Sequence, residues 1–523
     1  MRDTGKSSRL PDAEPAGPAR RKSLGQYFTP PDVVRFLFDA VPAASHWRVI
    51  DPACGDGAFL REALARGFAE LHGWDLDAAQ LRRCAAALVG ALPQTTGTQV
   101  SLQELDALRA GRPWAGCFDL VVGNPPFRGI GDKVRDPEVL RRFDLPARLG
   151  PRLPERGVAP EFLFLELFTL LARPGGWIAV VVPEGLLANA AAEPARRLLD
   201  ERCEVHAVVS LPAGTFGRAG TQARSAALVC RRREGRVCAG SVALVAFDRP
   251  AACSLQEYLH QVGAWLADRG CGPAGAVRHP LAPGGHLPPE LLRRLDPGYW
   301  HPRFREPVET LQAFRDGLIT LGEVAEGICY GAIRPGQPPQ YSGPDGVWYI
   351  GQRALRRGFI DLSRAPRVVP HCAWDPPRAR LRPGDLLLAR SGVAGVAIGR
   401  MALWDPPFSP SGLQQDAPAT VSCFVDRVRL RGYDPVVALL FLQGRYGQAQ
   451  IQRLINGVGT PNLSFAELRS LQLPRPAARL ERWTDELRQR WRRAAGRADG
   501  AALAELVQEV ERWVEGERRG EES

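Results

Sequence analysis

The chain has 523 residues, 45% of them hydrophobic, which is enough for two or three domains with substantial cores. Its net charge of +11 favours a polyanionic partner, although an arginine-rich codon usage would produce the same excess. The 11 cysteines form no C-x-x-C pair and no Cys/His cluster, so they predict free thiols in a reducing compartment rather than disulfides or zinc sites. Because the sequence has no apolar signal region and no apolar stretch of membrane-spanning length, we expect a cytoplasmic protein without a membrane partner.

The first motif lies between a predicted strand and a predicted helix. Residues 1–22, rich in proline, arginine and lysine, predict a disordered basic tail. The apolar strand Trp47–Asp51 is then followed by a loop of small residues with Gly55 and Gly57, and a helical pattern begins near Phe59. Such a loop lets a ligand approach the backbone and the helix N-terminus closely. It lacks the lysine of a P-loop and departs from the G-x-G-x-x-G dinucleotide spacing.

Two further acids follow predicted strands in chain order. Asp75 lies at the end of a second strand, the position at which Rossmann-like folds bind ribose hydroxyls. Asp106 follows a third predicted strand, 99–102. Each acid alone could be a surface turn residue. Together with Asp51, however, they predict one nucleoside-binding edge of a parallel sheet.

The next strand leads into the most informative motif, Asn124-Pro125-Pro126-Phe127. The run Phe118–Val122 predicts a buried parallel strand that ends immediately before this motif. Neither proline has a backbone N–H, and the fixed φ of both holds the carbonyls between them in place. The Asn124 side-chain oxygen and the Pro125 carbonyl can both accept hydrogen bonds from an exocyclic amino group, and Phe127 can stack on the ring. The motif therefore predicts a pocket for a planar ring with an amino group, although alone it could be a proline-rich turn.

More elements follow before residue 233. Glu161–Leu171 predicts a strongly apolar helix, and 177–182 and 225–229 predict strands. Between Phe127 and that helix, residues 128–159 are dense in arginine, proline and glycine. This composition predicts a mobile loop over the site that orders when the substrate binds, or alternatively a surface insertion of no consequence.

Taken together, the motifs resemble those of the gamma-class amino-methylating DNA methyltransferases, which are mostly N6-adenine enzymes. That family has an N-terminal F-T-P element, then the S-adenosylmethionine loop, the acids, N-P-P-Y/F and, last, target recognition. Here Phe28-Thr29-Pro30 precedes the loop, as this order requires. The resemblance covers about residues 23–233. It implies an α/β, Rossmann-like methyltransferase domain over 23–248, with a mostly parallel sheet and helices on both faces.

The resemblance also implies a role for each site residue. Phe28-Thr29-Pro30 would cover the methionine end of S-adenosylmethionine, Asp75 would bind its ribose, and Asp106 its adenine ring. Phe216 would pack on the target base together with Phe127. The implied catalytic residues are Asn124, Pro125, Pro126 and Phe127, and no metal ligand is implied. The implied cofactor-binding residues are Phe28, Thr29, Pro30, Asp51, Pro52, Ala53, Cys54, Gly55, Gly57, Phe59, Asp75, Asp106 and Asn124.

The second half of the chain carries a different pattern. Residues 249–294 are less patterned and predict a linker. Residues 295–476 show short predicted strands, including 321–324, with the segments GDLLLARSG at 384–392 and GTPNLS at 459–464. They resemble the target recognition domains of type I restriction specificity subunits. This implies an α+β DNA-specificity domain and, without an internal repeat, a reader of a single half-site.

Residues 477–523 predict C-terminal helices, because apolar residues recur at helical spacing on two segments. In specificity subunits such helices set spacing and pair with partners, but packing onto the recognition domain is equally consistent with the pattern. The two stripes are Leu480, Trp483, Leu487 and Trp491, and then Leu503, Leu506, Val507, Val510 and Trp513.

The implied reaction is transfer of a methyl group from S-adenosylmethionine to N6 of an adenine flipped out of double-stranded DNA, in a restriction-modification or related defence system. A restriction nuclease subunit or a second copy of the chain are the further expected partners. Cytosine N4 is an alternative acceptor, which Asn124 in place of serine disfavours. An RNA or protein-glutamine N-methyltransferase is a second alternative, disfavoured by Phe28-Thr29-Pro30. A binding protein with an inactive catalytic domain is a third, disfavoured by the intact Asn124–Phe127 motif.

Overall fold

The computed structural model describes residues 28–519 except for 91–96, 128–132, 151–156, 213, 217–223, 236–239, 249–252, 314–316, 391–397, 406–416, 456–461 and 476–477. The chain divides into two compact units, Met1–Gly298 and Tyr299–Ser523. The predicted basic tail, 1–22, lies outside the described residues.

The described part of the first unit is built on a nine-stranded sheet in the order β3-β2-β1-β4-β5-β7-β6-β8-β9. All neighbouring strands from β3 to β5 are parallel, as are β6 and β8, whereas β7 runs antiparallel to both its neighbours and β9 antiparallel to β8. The predicted mostly parallel, Rossmann-like sheet is therefore confirmed. The strands are β1 (Arg48–Asp51), β2 (Glu70–Asp75), β3 (Gln99–Glu104), β4 (Phe118–Gly123), β5 (Ala172–Pro183), β6 (Cys203–Ser210), β7 (Ser225–Arg232), β8 (Ser241–Val245) and β9 (Ala276–Pro280).

Helices cover both faces of this sheet. Leu120 and Val122 of β4 belong to a core shared with helices α1, α2, α3 and α10, whereas Val121 between them points to the opposite face because side chains alternate along a strand. On that face α7 packs against β4 and β5, and α9 against β6. The helices are α1 (Pro31–Asp39), α2 (Ala58–Ala65), α3 (Ala78–Val89), α4 (Ala107–Ala110), α5 (Pro137–Leu140), α6 (Leu145–Arg148), α7 (Pro160–Leu171), α8 (Glu184–Ala188), α9 (Glu193–Arg202), α10 (Leu255–Leu266) and α11 (Pro289–Arg293).

The predicted linker 249–294 is wrong over its described residues. Helix α10 begins with a capping box at Ser254 and buries Tyr258 and Val262 in the core of the first unit. Strand β9 then pairs with β8 and extends the sheet. The sequence did not predict these elements, because α10 buries only a narrow apolar stripe and β9 carries polar residues on one face.

The second unit combines three small sheets with helices, which confirms the predicted α+β class. Its strands are β10 (Leu318–Thr320), β11 (Ala325–Tyr330), β12 (Tyr341–Ser342), β13 (Val347–Ile350), β14 (Arg367–Val368), β15 (Asp385–Ala389), β16 (Met401–Trp404), β17 (Ala419–Val421), β18 (Val425–Leu430) and β19 (Gln472–Pro474). Over the described residues the sheets have the orders β10-β19, β11-β18-β15-β16 and β12-β14-β13-β17. The predicted strand 321–324 is instead a short helix, because the Thr320 hydroxyl and Glu323 form a capping box there.

Helices of the second unit share one core with the sheet β11-β18-β15-β16. The two C-terminal helices bury Leu487, Trp491, Leu503 and Leu506 in it, so their apolar stripes pack onto the second unit itself. The helices are α12 (Pro302–Gln312), α13 (Leu321–Val324), α14 (Pro435–Gln443), α15 (Arg445–Leu454), α16 (Phe465–Ser470), α17 (Ala478–Gly496) and α18 (Gly500–Arg519). Short 3-10 turns lie at Arg112–Trp114, Ala190–Ala192, Pro283–Gly285, Pro297–Trp300, Gln352–Ala354, Leu362–Arg364 and Pro377–Ala379.

None of the helices in the described ranges is both long enough and apolar enough to cross a bilayer.

Candidate active site

The loop after β1 has a backbone that glycine favours. Gly55 and Gly57 have φ values of 54° and 84°, in the left-handed region, and Gly57 is the N-cap of α2. A β-carbon on Gly57 would also lie 2.5 Å from the Cys84 sulfur on α3. Both the turn and the close helix contact therefore require glycine at position 57. This loop lies beside β4, at the point where the strand order of the sheet reverses, which is where open α/β sheets bind ligands.

The carboxylate of Asp75 fixes this loop from the neighbouring strand. Its Oδ2 accepts a hydrogen bond from the Gly55 N–H at 2.8 Å, and its Oδ1 accepts one from the Asp77 N–H at 2.8 Å. Burial raises the pKa of Asp75, and the two backbone hydrogen bonds act against that rise. Each oxygen keeps a second lone pair with which it could accept a hydroxyl hydrogen bond.

The other two acids of the predicted edge have different surroundings. Asp51 is 1% exposed, and burial raises its pKa to about 8, against the effect of the hydrogen bond that its Oδ1 accepts from Ala53 N–H. Asp106 is more exposed and caps α4, where its Oδ1 accepts from Leu108 N–H at 3.0 Å. Asp77, two residues beyond Asp75, caps α3 in the same way.

The side-chain amide of Asn124 is held in one orientation. Its Nδ2 donates to the hydroxyl oxygen of Thr29 at 3.1 Å, although 95 residues separate the two in sequence. Its Oδ1 is buried and has no hydrogen-bond partner within the described structure. Buried polar atoms are nearly always paired, so a fixed and unpaired acceptor at the end of β4 marks the place of a ligand donor.

These groups line one cavity of about 870 Å³ in the first unit. It contains side chains from the ends of β1, β2 and β4 and from the segment that precedes α1. Of the residues predicted to bind the cofactor, those that line it are Phe28, Thr29, Asp51, Pro52, Ala53, Cys54, Gly55, Phe59, Asp75, Asp106 and Asn124.

Five predicted site residues are not among the lining residues of this cavity. Pro30 and Gly57 cap helices beside it. Pro125 is buried, whereas its neighbour Pro126 lines the cavity, and Phe127 is partly buried against the core. The ring of Phe216 is only 5% exposed and packs in the hydrophobic core, so it offers no open face to a base in this conformation.

One wall of the cavity comes from the segment 128–159, which was predicted as a loop over the site. Lys133, Arg135 and Asp136 line it, together with Phe164 from α7. The described residues of the predicted mobile loop are folded here, with helices α5 and α6 and a bridge between Val134 and Val158. The segment therefore does lie at the cavity, but the sequence analysis did not single out its individual lining residues.

The described ranges contain no group of three or more histidine, cysteine, aspartate or glutamate side chains arranged to hold a metal ion. The cysteines within those ranges are free thiols.

Comparison with known proteins finds one family that matches most of the first unit. Residues 16–251 match the family described as N-6 DNA Methylase. The chain is 29% identical over 191 residues to the type II methyltransferase M.TthHB8I of Thermus thermophilus, an alignment that covers 32% of this chain and 36% of that protein. It is 27% identical over 225 residues to the type I restriction enzyme EcoEI methylase subunit of Escherichia coli, covering 40% and 41%.

Among solved structures, the type IIG restriction endonuclease BpuSI is 14% identical, with a TM-score of 0.43 over 94% of this chain and 65% of that one. The chain thus spans about two fifths of the length of the two methylases it matches in sequence. Residues 16–251, a little under half of the chain, are thus similar to the N-6 DNA Methylase family.

Proposed function

We propose that this protein is a site-specific DNA methyltransferase that modifies N6 of adenine, with S-adenosylmethionine as the methyl donor, in a restriction-modification or related defence system. Double-stranded DNA is its substrate, and a restriction subunit or a second copy of the chain is its further partner. The family match of residues 16–251 and the names of the related methylases support this proposal.

The observation that carries the proposal is the unpaired Oδ1 of Asn124. In the structure Thr29 accepts from Nδ2, which leaves Oδ1 as the amide atom with an open hydrogen-bonding position. A buried acceptor without a partner costs about 1–3 kcal/mol, and an amino group placed in the cavity would remove that cost. Adenine N6 carries such a group, with two N–H donors.

The chain's own residues would then activate the amine. The lone pair of adenine N6 is delocalised into the ring and is therefore a poor nucleophile. Hydrogen bonds from N6–H to Asn124 Oδ1 and to the Pro125 carbonyl would favour a tetrahedral nitrogen and direct its lone pair. S-adenosylmethionine would supply an electrophilic methyl carbon when bound and would leave as S-adenosylhomocysteine, with Asp75 proposed to hold its ribose and Asp106 its adenine. The methylated N6 would release one proton to water, by way of its hydrogen bond to Asn124 Oδ1 or to the Pro125 carbonyl. Positioning and exclusion of water would supply much of the rate enhancement.

The target base must leave the duplex to reach this site, at a cost of a few kcal/mol. Phe127, which is only partly buried, is the first candidate to stack on it, a contact worth roughly 1–3 kcal/mol. Phe216 would have to leave the core before it could provide a second stacking ring. We assign the reading of the DNA sequence to the second unit, from residue 299 onward.

One experiment tests the reaction directly. The full-length protein is incubated with S-adenosylmethionine and duplex DNA, and the digested nucleosides are analysed by mass spectrometry. We expect N6-methyladenine from the wild type. Asn124→Ala should lose at least about tenfold in rate, the equivalent of 1.4 kcal/mol, while it still binds S-adenosylmethionine.

Asn189→Ala is the matched control, because the Asn189 side chain makes no capping hydrogen bond at the helix end where it lies. If the product were N4-methylcytosine, the methyl acceptor would be cytosine and not adenine. Preferential methylation of RNA or of a protein would contradict the proposal, and so would an active Asn124→Ala variant.

A further inference from the structure

Three strands of the second unit bring an arginine, an aspartate and a tyrosine to one end of a sheet. Asp426, near the start of β18, pairs in register with Tyr330 at the end of β11 and with Leu388 of β15. Arg390 directly follows β15. The backbone N–H of Leu463 donates to the Arg390 carbonyl at 3.2 Å, which brings Phe465 of α16 to the same place.

The Arg390 guanidinium is fixed by aromatic rings rather than by hydrogen bonds. Its central carbon lies 4.2 Å from the centroid of the Tyr330 ring and 5.7 Å from that of Phe465. The two ring centroids are 5.5 Å apart, and the Arg390 side chain is only 17% exposed. Its N–H groups make no hydrogen bond within the described residues, so a largely buried donor fork is left open.

The partner acid is also unsatisfied. Asp426 is fully buried, and neither of its carboxylate oxygens has a hydrogen-bond partner in the described structure. Its closest cation is the Nε of Arg390 at 3.6 Å, beyond hydrogen-bond distance. Burial raises the pKa of Asp426 to about 7, and Arg390 acts in the opposite direction.

Arg429, which lies on β18 like Asp426, forms a fully hydrogen-bonded ion pair with Asp385 of β15. Arg429 donates from Nε and Nη2 to the two carboxylate oxygens of Asp385, both at 2.8 Å. Both ends of the Arg429 fork are thus occupied within the protein, whereas Arg390 makes only the long ion pair with Asp426 and no side-chain hydrogen bond to any described residue. The N–H groups of Arg390 are therefore available to a ligand with matching acceptors.

We propose that Arg390 reads a DNA base edge that presents two adjacent acceptors, N7 and O6 of a guanine, and that Asp426 is the positioning residue for its guanidinium. This inference rests on the proposed function. A planar guanidinium matches the guanine edge with two parallel hydrogen bonds in the major groove. A backbone phosphate fits less well, because the adjacent carboxylate offsets the charge of Arg390 and its side chain is mostly enclosed.

The test compares wild type, Arg390→Ala and Arg390→Lys on duplexes in which 7-deazaguanine replaces one guanine of the methylated site at a time. At one guanine the analogue should lower the wild-type kcat/KM about tenfold and leave that of Arg390→Ala unchanged, as expected for a double-mutant cycle on a single contact. Arg390→Lys keeps the charge and can still donate to N7 or O6 but lacks the planar fork, so it should discriminate less strongly than the wild type at this guanine. Asp426→Asn should raise KM for DNA several-fold at unchanged kcat.

Arg431→Ala is the control, since Arg431 is exposed just beyond the opposite end of β18. If Arg390→Ala lowered kcat/KM equally on all duplexes while Arg390→Lys kept its activity, Arg390 would contact a phosphate and the inference would be overturned. If 7-deazaguanine lowered the kcat/KM of Arg390→Lys as much as that of the wild type, the inference would also be overturned. Arg390→Lys gives the decisive measurement if Arg390→Ala unfolds below the assay temperature. If the wild type methylates no DNA at all, the proposed function fails first and the inference falls with it.

Discussion

Asp51 and Gly123 lie in contact at the ends of two neighbouring strands. A β-carbon built on Gly123 would be 2.9 Å from Asp51 Oδ1. The two strands pair in parallel through Val49–Leu120 and Ile50–Val121. The carboxylate that begins the glycine loop therefore rests against the backbone that leads into Asn124, and the two halves of the candidate site are coupled by one close contact.

Gly123→Ala should disrupt this coupling. The added methyl group would force either the Asp51 carboxylate or the backbone before Asn124 to shift, and overpacking of this kind costs roughly 1–3 kcal/mol of stability. We expect a lower melting temperature and a methylation rate reduced at least about tenfold, since small misplacements at a reacting centre are costly. Gly97→Ala is the control, because a β-carbon there meets no atom within 4 Å. Equal activity of both variants would contradict the coupling.

The raised pKa of Asp51 predicts a pH-dependent stability. An aspartate in the unfolded chain titrates near pH 4, whereas in the fold the pKa of Asp51 is about 8. Between these values the folded state holds a proton that the unfolded state has lost, so the contribution of Asp51 to stability falls as the pH rises from about 4 to about 8. Asp51→Asn cannot ionise. Its melting temperature relative to wild type should therefore increase between pH 5 and pH 9.

The control for this series is Asp39→Asn, which alters an exposed aspartate paired with Arg66. A melting-temperature difference for Asp51→Asn that stays flat over the same pH range would show that this carboxyl is ionised in the fold.

Thr29→Val tests the orientation of the catalytic amide. Valine has nearly the shape of threonine but cannot accept the hydrogen bond from Asn124 Nδ2. The amide would then be free to present its nitrogen to the cavity. We expect kcat for methyl transfer to fall about tenfold, with little change in melting temperature. Thr29→Ser, which keeps the hydroxyl, should retain most of the rate, and a Thr29→Val variant as active as Thr29→Ser would argue against this role.

Asp75→Ala should weaken S-adenosylmethionine binding. Charge-assisted hydrogen bonds to a ribose are worth about 1.5–3 kcal/mol, which corresponds to an increase in Kd of about tenfold to a hundredfold. The loss of the acceptor for Gly55 N–H should loosen the glycine loop as well. Isothermal calorimetry measures the change. Unchanged affinity in Asp75→Ala, with weaker binding in Asp77→Ala, would make Asp77 the ribose acid.

A truncation after Gly298 should separate chemistry from sequence reading. We expect the 1–298 fragment to bind S-adenosylmethionine but to lose site-specific DNA methylation, because the proposed reader of base edges lies beyond it. A fragment cut at 250 lacks α10 and β9, which bury apolar surface of the first unit, so it should be less soluble than 1–298. Site-specific methylation by 1–298 would refute the assignment of specificity to the second unit.

The local motifs of the first unit were predictable because each depends on residues close in sequence. The strand before Asp51, the helix Pro160–Leu171 and the strand before Asn124 all follow from apolar runs bounded by small residues. Most predicted cofactor residues also line one cavity, because they follow parallel strands and such strands end at the same edge of the sheet. The linker prediction failed because α10 and β9 are stabilised by surfaces that lie far from them in sequence.

The sequence by itself determined the order of the elements, the glycine turn at Gly55 and Gly57 and the choice of Asn124, because steric limits and apolar periodicity act over a few residues. Only the tertiary structure decided which side chains meet. It joined Asn124 to Thr29 across 95 residues, placed Arg390 beside two rings with no side-chain hydrogen bond to any described residue, and buried Phe216 in the core. The physical reason is that burial and hydrogen-bond satisfaction are properties of the packed chain, which neither composition nor spacing records.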